Sequence, residues 1–171
     1  MHESIAEQFV AECKKAMVEL YGTDPKSRPD DYSRIISPKA TERLASLIDQ
    51  KKVVIGGASD PEARYLDPTV IYPVTWDDPI MEDEIFGPLL PILTYKDMDA
   101  AIREVKKHPK PLSGFLFSRN QKAIDHFLAS LSFGGGAINQ VTFICLSKPC
   151  PLEGSDIPAL VTTTARPASM L

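Results

Sequence analysis

LLPILTYKDMDAAIREVKKHPKPLSGFLFSRNQKAIDHFLASLSFGGG, residues 89–136, alternates between two hydrophobic periodicities. Leu89 to Thr94 is an apolar run of strand length. Residues 97–108 then carry Met98, Ala101, Ile102 and Val105 on one helical face. Gly114 to Phe117 reads as a short buried strand. Ala123, Ile124, Phe127, Leu128 and Leu131 mark another helix, which the Gly134–Gly136 run stops. Strand, helix, strand, helix is the pattern of an α/β fold, with a largely parallel sheet and flanking helices.

Working outward toward the N-terminus, Ile5, Phe9, Val10, Cys13, Ala16, Met17 and Leu20 recur at helical spacing, so residues 3–21 form an amphipathic helix ended by Gly22. Cys13 lies on that stripe and reads as a small buried hydrophobe rather than a nucleophile. TDPKSRPDDYS, residues 23–33, is a polar loop marked by prolines. A second helix follows, capped by Ser37 with Pro38 in its first turn and Leu44, Leu47 and Ile48 among its apolar positions. VVIGG at 53–57 is a strand ending in a glycine turn. Tyr65 to Val74, interrupted by Pro68 and Pro73, reads as an edge or irregular strand.

The 171 residues suffice for one domain with a real core. A net charge of −4 gives no basic footprint for nucleic acid or an anionic membrane, and no apolar run approaches the length of a membrane span. The N-terminus has neither the basic start nor the apolar stretch of a signal peptide. Three cysteines without a CxxC pair leave a reduced, cytoplasmic setting as the default. His2, His108 and His126 are scattered, with no paired ligand spacing, so no metal site is expected. The acidic run Asp77, Asp78, Glu82, Asp83 and Glu84 lacks calcium-loop spacing and reads as a solvated loop.

One segment carries more chemistry. EDEIFGPLLPIL, residues 82–93, joins an acidic patch, one aromatic and a Gly-Pro break to an apolar strand. Gly87 lets the backbone turn or approach another group closely, and Pro88 fixes the exit. Glu84 and Phe86, two residues apart, share a face if the chain is extended there. A carboxylate accepts the hydroxyls of a ribose, and a phenyl ring packs on a flat heterocycle. The plainer reading is a surface acid and a core phenylalanine beside a turn.

EIFGP, Glu84 to Pro88, resembles a hallmark of the aldehyde dehydrogenase superfamily. MHESIAEQFV resembles that family's helix after its nucleophile segment, and YLDPTVIYPVTWDDPIMEDEIFGPLLPIL resembles the run into the motif. KPLSGFLFSRN and FGGGAINQV continue in register, in wording closest to the class 3 branch. The resemblance covers residues 1–143 and implies part of an aldehyde dehydrogenase catalytic domain. It implies that Glu84 hydrogen-bonds the nicotinamide ribose of NAD or NADP and that Phe86 packs near the nicotinamide ring. Asn139 would lie toward the active-site side without a catalytic role. The implied reaction oxidises an aldehyde substrate to a carboxylic acid through a cysteine thioester.

The family's nucleophile, general base and dinucleotide-binding domain would all precede the segment present here, so no catalytic residue is assigned and the chain alone is expected to be inactive. Gly134–Gly136 follows a helix, the wrong context for a dinucleotide-binding loop. The ending also departs from the family. Every aromatic residue lies within 1–143, whereas 144–171 holds Pro149, Pro151, Pro158 and Pro167. Shifting the frame by one base, with synonymous codons chosen freely, turns the tail from Cys150 into MPFGGVGHSGIGHYYGKAGFD, an ending of the family's kind. Residues 144–171 are therefore expected to be a frameshifted, poorly ordered tail. Three roles are compatible with this sequence: a piece of an aldehyde dehydrogenase, a non-catalytic module that associates with intact subunits, or a pseudogene product.

Overall fold

The computed structural model describes residues 1–27, 32–141 and, as a backbone strand only, 160–163. The chain divides into two compact units, Met1–Asp97 and Met98–Leu171. The junction falls between a strand and a helix with no glycine or proline beside it, so composition carries no mark of it.

In the first unit, α1 spans Ala6–Tyr21 after a 3-10 turn at Glu3–Ile5. Gly22 ends it at φ +76°, ψ −169°, a region essentially reserved to glycine, and its N–H donates to the Val18 carbonyl. α2 spans Pro38–Ser46. Its start follows from local chemistry: the Ser37 hydroxyl accepts from the Ala40 N–H, and Pro38 occupies the first turn, where no N–H is required.

β1 (Val53–Ile55) is followed by the antiparallel pair β2 (Ser59–Asp60) and β3 (Tyr65–Leu66). β4 (Thr69–Ile71) and β5 (Leu89–Pro91) complete a sheet of order β1-β4-β5. β4 is antiparallel to β1 and parallel to β5. The edge or irregular strand expected over 65–74 is irregular: it breaks at Asp67–Pro68 into β3, half of a two-stranded pair, and β4, which is central rather than an edge and has all three of its residues buried. Pro68 and Pro73 stand just outside it and take no ladder donor away. Thr69 N–H reaches the Pro88 carbonyl at 2.9 Å, and Tyr72 N–H reaches the Lys52 carbonyl at 2.8 Å. Leu44 and Ile48 close over this sheet with Leu66, Ile71, Val74, Ile80 and Leu89 as one apolar core.

α1 is amphipathic where the spacing predicts, yet Ala6 is its only buried residue. Phe9, Val18 and Leu20 are exposed, and Cys13 is half-buried. The expectation of a buried stripe is corrected accordingly. Desolvation still raises the Cys13 thiol pKa above its ordinary value.

The second unit holds α3 (Met98–Val105), β6 (Ser113–Leu116), α4 (Gln121–Ser130), β7 (Gly135–Ile138) and β8 (Leu160–Thr163). Its strands run in the order β6-β7-β8, and both pairings are parallel. Asn120 caps α4 by accepting from the Lys122 and Ala123 N–H groups. Two expectations change here. β6 alternates between exposed and half-buried positions instead of being buried throughout. α4 ends at Ser130, with Leu131 already extended, and Gly135 and Gly136 lie in the strand beyond it, with Gly134 just before.

A steric reason accounts for those glycines. A Cβ on Gly114 would stand 2.7 Å from the Phe133 ring. One on Gly136 would meet both the Gly114 carbonyl and the ring at 2.4 Å. Glycine at these paired positions lets Phe133 lie against the sheet. The irregular tail was expected over 144–171; of it, Leu160–Thr163 is a strand parallel to β7, and the rest lies outside the described residues.

Candidate cofactor-contacting segment

The EIFGP segment follows a short 3-10 turn, Pro79–Met81, and enters β5. The loop before it is tied down. The Asp78 carboxylate accepts from the Lys52 ammonium at 2.5 and 2.8 Å, from the Thr75 N–H at 2.7 Å and from the Thr75 hydroxyl at 3.2 Å. These bonds, with Lys52 the largest influence, hold its pKa below the usual carboxylate value. Asp78 thus departs from the solvated loop expected for the acidic run, whereas Glu82, Asp83 and Glu84 are exposed as expected.

Beyond the 3-10 turn the segment is held from below by α2. The Arg43 Nη2 donates to the Ile85 carbonyl at 2.5 Å. Leu44, fully buried, fills the space under Gly87: a Cβ there would stand 2.6 Å from both Leu44 methyls. The Pro88 carbonyl accepts from Thr69, and Ile85 packs on the core. Gly87 therefore serves close approach. The left-handed turn falls instead on Phe86, at φ +50°.

Phe86 is 75% exposed. A bulky residue at positive φ is an outlier that surrounding contacts must impose, and such positions concentrate at ligand sites. Ile85 turns into the core while Glu84 and Phe86 on either side of it are exposed. The plainer reading of Phe86 as a core residue is thereby excluded. A carboxylate and an open aromatic ring on a pinned segment have the chemistry to take a polyol and a flat ring.

Asn139 belongs to the second unit, at the C-terminal end of β7 and at φ +58°. Its side chain is spent on backbone: Oδ1 accepts from the Ser118 N–H at 2.9 Å, and Nδ2 donates to the Ser118 carbonyl at 3.0 Å. It splices the ends of β6 and β7. His126 lies 2.5 Å from Asp99, and His108 lies 3.7 Å from Glu104. Among the described residues, no cluster of three or more His, Cys, Asp or Glu is placed to hold a metal ion. No helix there is long and apolar enough to cross a membrane.

The residues missed by sequence reading are the holders, Arg43 and Asp78. Arg43 reaches a carbonyl 42 residues away from an exposed helix position, and nothing local marks it.

Residues 1–155 match the aldehyde dehydrogenase family. The chain is 44% identical over 156 residues to the 4,4'-diaponeurosporen-aldehyde dehydrogenase of Staphylococcus aureus, covering 90% of this chain and 34% of that protein. It is 40% identical over 151 residues to the dimeric NADP-preferring aldehyde dehydrogenase of mouse, covering 88% of this chain and 33% of that one. The chain thus spans about a third of the length of the curated relatives it matches. A solved Staphylococcus aureus AldH in a substrate-bound state superposes with a TM-score of 0.80 at 44% identity, over 83% of this chain and 31% of that one. Escherichia coli lactaldehyde dehydrogenase superposes with a TM-score of 0.71 at 26% identity, over the same shares. The chain belongs to the aldehyde dehydrogenase family.

Proposed function

We propose that this chain supplies part of the catalytic domain of an NAD(P)-dependent aldehyde dehydrogenase, with Glu84 and Phe86 as one wall of the cofactor site. The observation that carries this reading is Phe86, held at φ +50° with its ring open to solvent. Glu84 would accept the ribose hydroxyls, and Phe86 would pack on the nicotinamide ring. The dinucleotide, when bound, accepts hydride from the aldehyde carbon. The choice between NAD and NADP is made at the far end of the adenosine moiety, away from residues 84–86.

The described residues hold no activated thiol. Desolvation raises the Cys13 thiol pKa, the direction opposite to the one that would ready a thiolate for thioester chemistry. The purified chain is therefore expected to give no aldehyde-dependent absorbance rise at 340 nm with NAD or NADP. Turnover that disappears in Cys13→Ala would refute this. The cofactor wall is tested by titrating NADH to millimolar concentration while following backbone amide resonances. Residues 84–87 should move most, and a response centred elsewhere overturns the assignment.

The frame of the tail is settled by the coding DNA. A frameshift predicts that the real codons, read one base over, encode PFGGVG near Cys150; any other peptide there rejects it. We place the chain in the cytoplasm on the strength of its free Cys13 thiol, to be checked by cell fractionation.

A second reading is a non-catalytic module that pairs with intact aldehyde dehydrogenase subunits. The open apolar residues of α1, Phe9, Val18 and Leu20, favour it. Co-purification with an intact relative, lost on Val18→Glu and Leu20→Glu substitution, tests it.

A further inference from the structure

Two consecutive residues of α2 flank the strained position from below. Leu44 seats Gly87 on one side of Phe86, and Arg43 holds the Ile85 carbonyl on the other. We propose that Arg43 is a positioning residue for Phe86: its guanidinium fixes the peptide between Ile85 and Phe86 so that Phe86 stays left-handed with its ring outward. This rests on the reading of Phe86 as a cofactor contact, and it assigns to a surface arginine the job of keeping that contact ready.

The geometry gives the reason. A peptide unit is planar, so fixing the direction of the Ile85 carbonyl also fixes the direction of the Phe86 N–H. With Gly87 pressed on Leu44 and the Pro88 carbonyl committed to Thr69, the chain after Phe86 is fixed as well. Phe86 has to bridge two anchored peptides, and it does so at φ +50°. Left to itself, an L-residue with a Cβ disfavours that region by roughly five- to thirtyfold. A hydrogen bond from a charged donor is of the same order and can tip the balance.

The two anchors differ in kind. Leu44 is fully buried in the core and cannot be altered without disturbing the unit, whereas Arg43 is exposed. The arginine is the separable part. Only one of its terminal nitrogens is used on Ile85, so a lysine ammonium of nearly the same reach retains the essential interaction.

The test uses the full chain labelled with ¹³C and ¹⁵N, without cofactor. The backbone carbon shifts of Phe86 report its left-handed population directly. In the wild-type chain they should fall in the left-handed range. In Arg43→Ala they should move toward negative φ, with at least about half of the left-handed population lost. Leu44 methyl resonances should stay native, and Arg43→Lys should restore most of the wild-type pattern. Left-handed shifts that persist in Arg43→Ala, or that are lost equally in Arg43→Lys, overturn the proposal. NADH binding is read separately. If the Phe86 shifts change as expected while the NADH titration does not, the role of Arg43 stands and the cofactor assignment of Phe86 falls.

Discussion

Replacing Phe86 by glycine and, separately, by alanine makes the strain at this position measurable as a difference between two small residues. Both substitutions remove the same ring. That ring is 75% exposed, so only about a quarter of the roughly 200 Å² an aromatic side chain can bury is lost, of order 1 kcal/mol in both variants. The two differ in the backbone. Alanine keeps a Cβ and with it the cost of the left-handed region, about 1–2 kcal/mol. Glycine escapes that cost but loses more chain entropy on folding, about 0.5–1 kcal/mol. At φ +50° the first difference exceeds the second, so Phe86→Gly should be more stable than Phe86→Ala by about 0.5–1 kcal/mol. At a position of ordinary φ the sign is the reverse. Urea unfolding followed by the emission of Trp76, the single tryptophan, reads both variants on one scale. With a slope of roughly 1–3 kcal/mol per molar urea, the midpoints should separate by several tenths molar. An alanine variant at least as stable as the glycine variant would refute the argument, and with it the claim that contacts hold Phe86 against its own preference.

Gly136→Ala should destabilise by about 1–3 kcal/mol, because its Cβ meets the Gly114 carbonyl and the Phe133 ring at 2.4 Å. In a Phe133→Ala background the Gly136→Ala loss in thermal unfolding should shrink but persist, since the ring clash is gone and the carbonyl clash remains; its complete disappearance would show that the ring alone matters. Asp78 has a depressed pKa, so its stabilising effect is present above the ordinary carboxylate value near 4 and fades as pH falls through its lower folded value. Asp78→Asn should therefore flatten the acid limb of the stability profile below about pH 4 and lower stability at pH 7. An unchanged acid limb would deny Asp78 its role in tying the loop to Lys52. The raised thiol pKa of Cys13 predicts alkylation by iodoacetamide at pH 7.5 slower than that of a free cysteine, mapped by peptide mass spectrometry. Faster alkylation would mark an activated thiol and reopen the question of catalysis at Cys13.

How far the sequence reads depends on the range of the interactions involved. The start of α2 was legible, because Ser37 and Pro38 act within one helical turn and the structure uses both in their expected roles, whereas Leu47 and Ile48, expected on the helix, fall at its C-cap and beyond it. α1 was legible as a helix, but its burial was not, since amphipathic spacing shows which face is apolar and not what covers it. The break within 65–74 was legible, but the edge alternative fails for β4, the strand that two prolines flank. The rule concerns prolines within the ladder, and here Pro68 and Pro73 sit one residue and two residues beyond its ends. The glycine run was misread for a related reason. Gly135 and Gly136 look like a helix stop until Phe133 is seen lying over Gly136 and its partner Gly114, a pairing between residues far apart in sequence.

The candidate site divides along the same line. Glu84 and Phe86 were legible as residue types with suitable chemistry, and Gly87 as a point of close approach. Which residue would take the left-handed turn was not, because glycine is the default choice and the default failed. That failure is informative. A fold needing only a turn could have placed the positive φ on Gly87 at no cost. Instead Gly87 is committed to Leu44, and the strain is left on an aromatic residue whose ring gains little burial in return. The exposed ring returns only about 1 kcal/mol of burial against a backbone strain of the same order, so it brings folding little net gain. Its persistence is best accounted for by something the ring touches when the site is filled, and the glycine–alanine comparison measures how much stability is given up to keep it there.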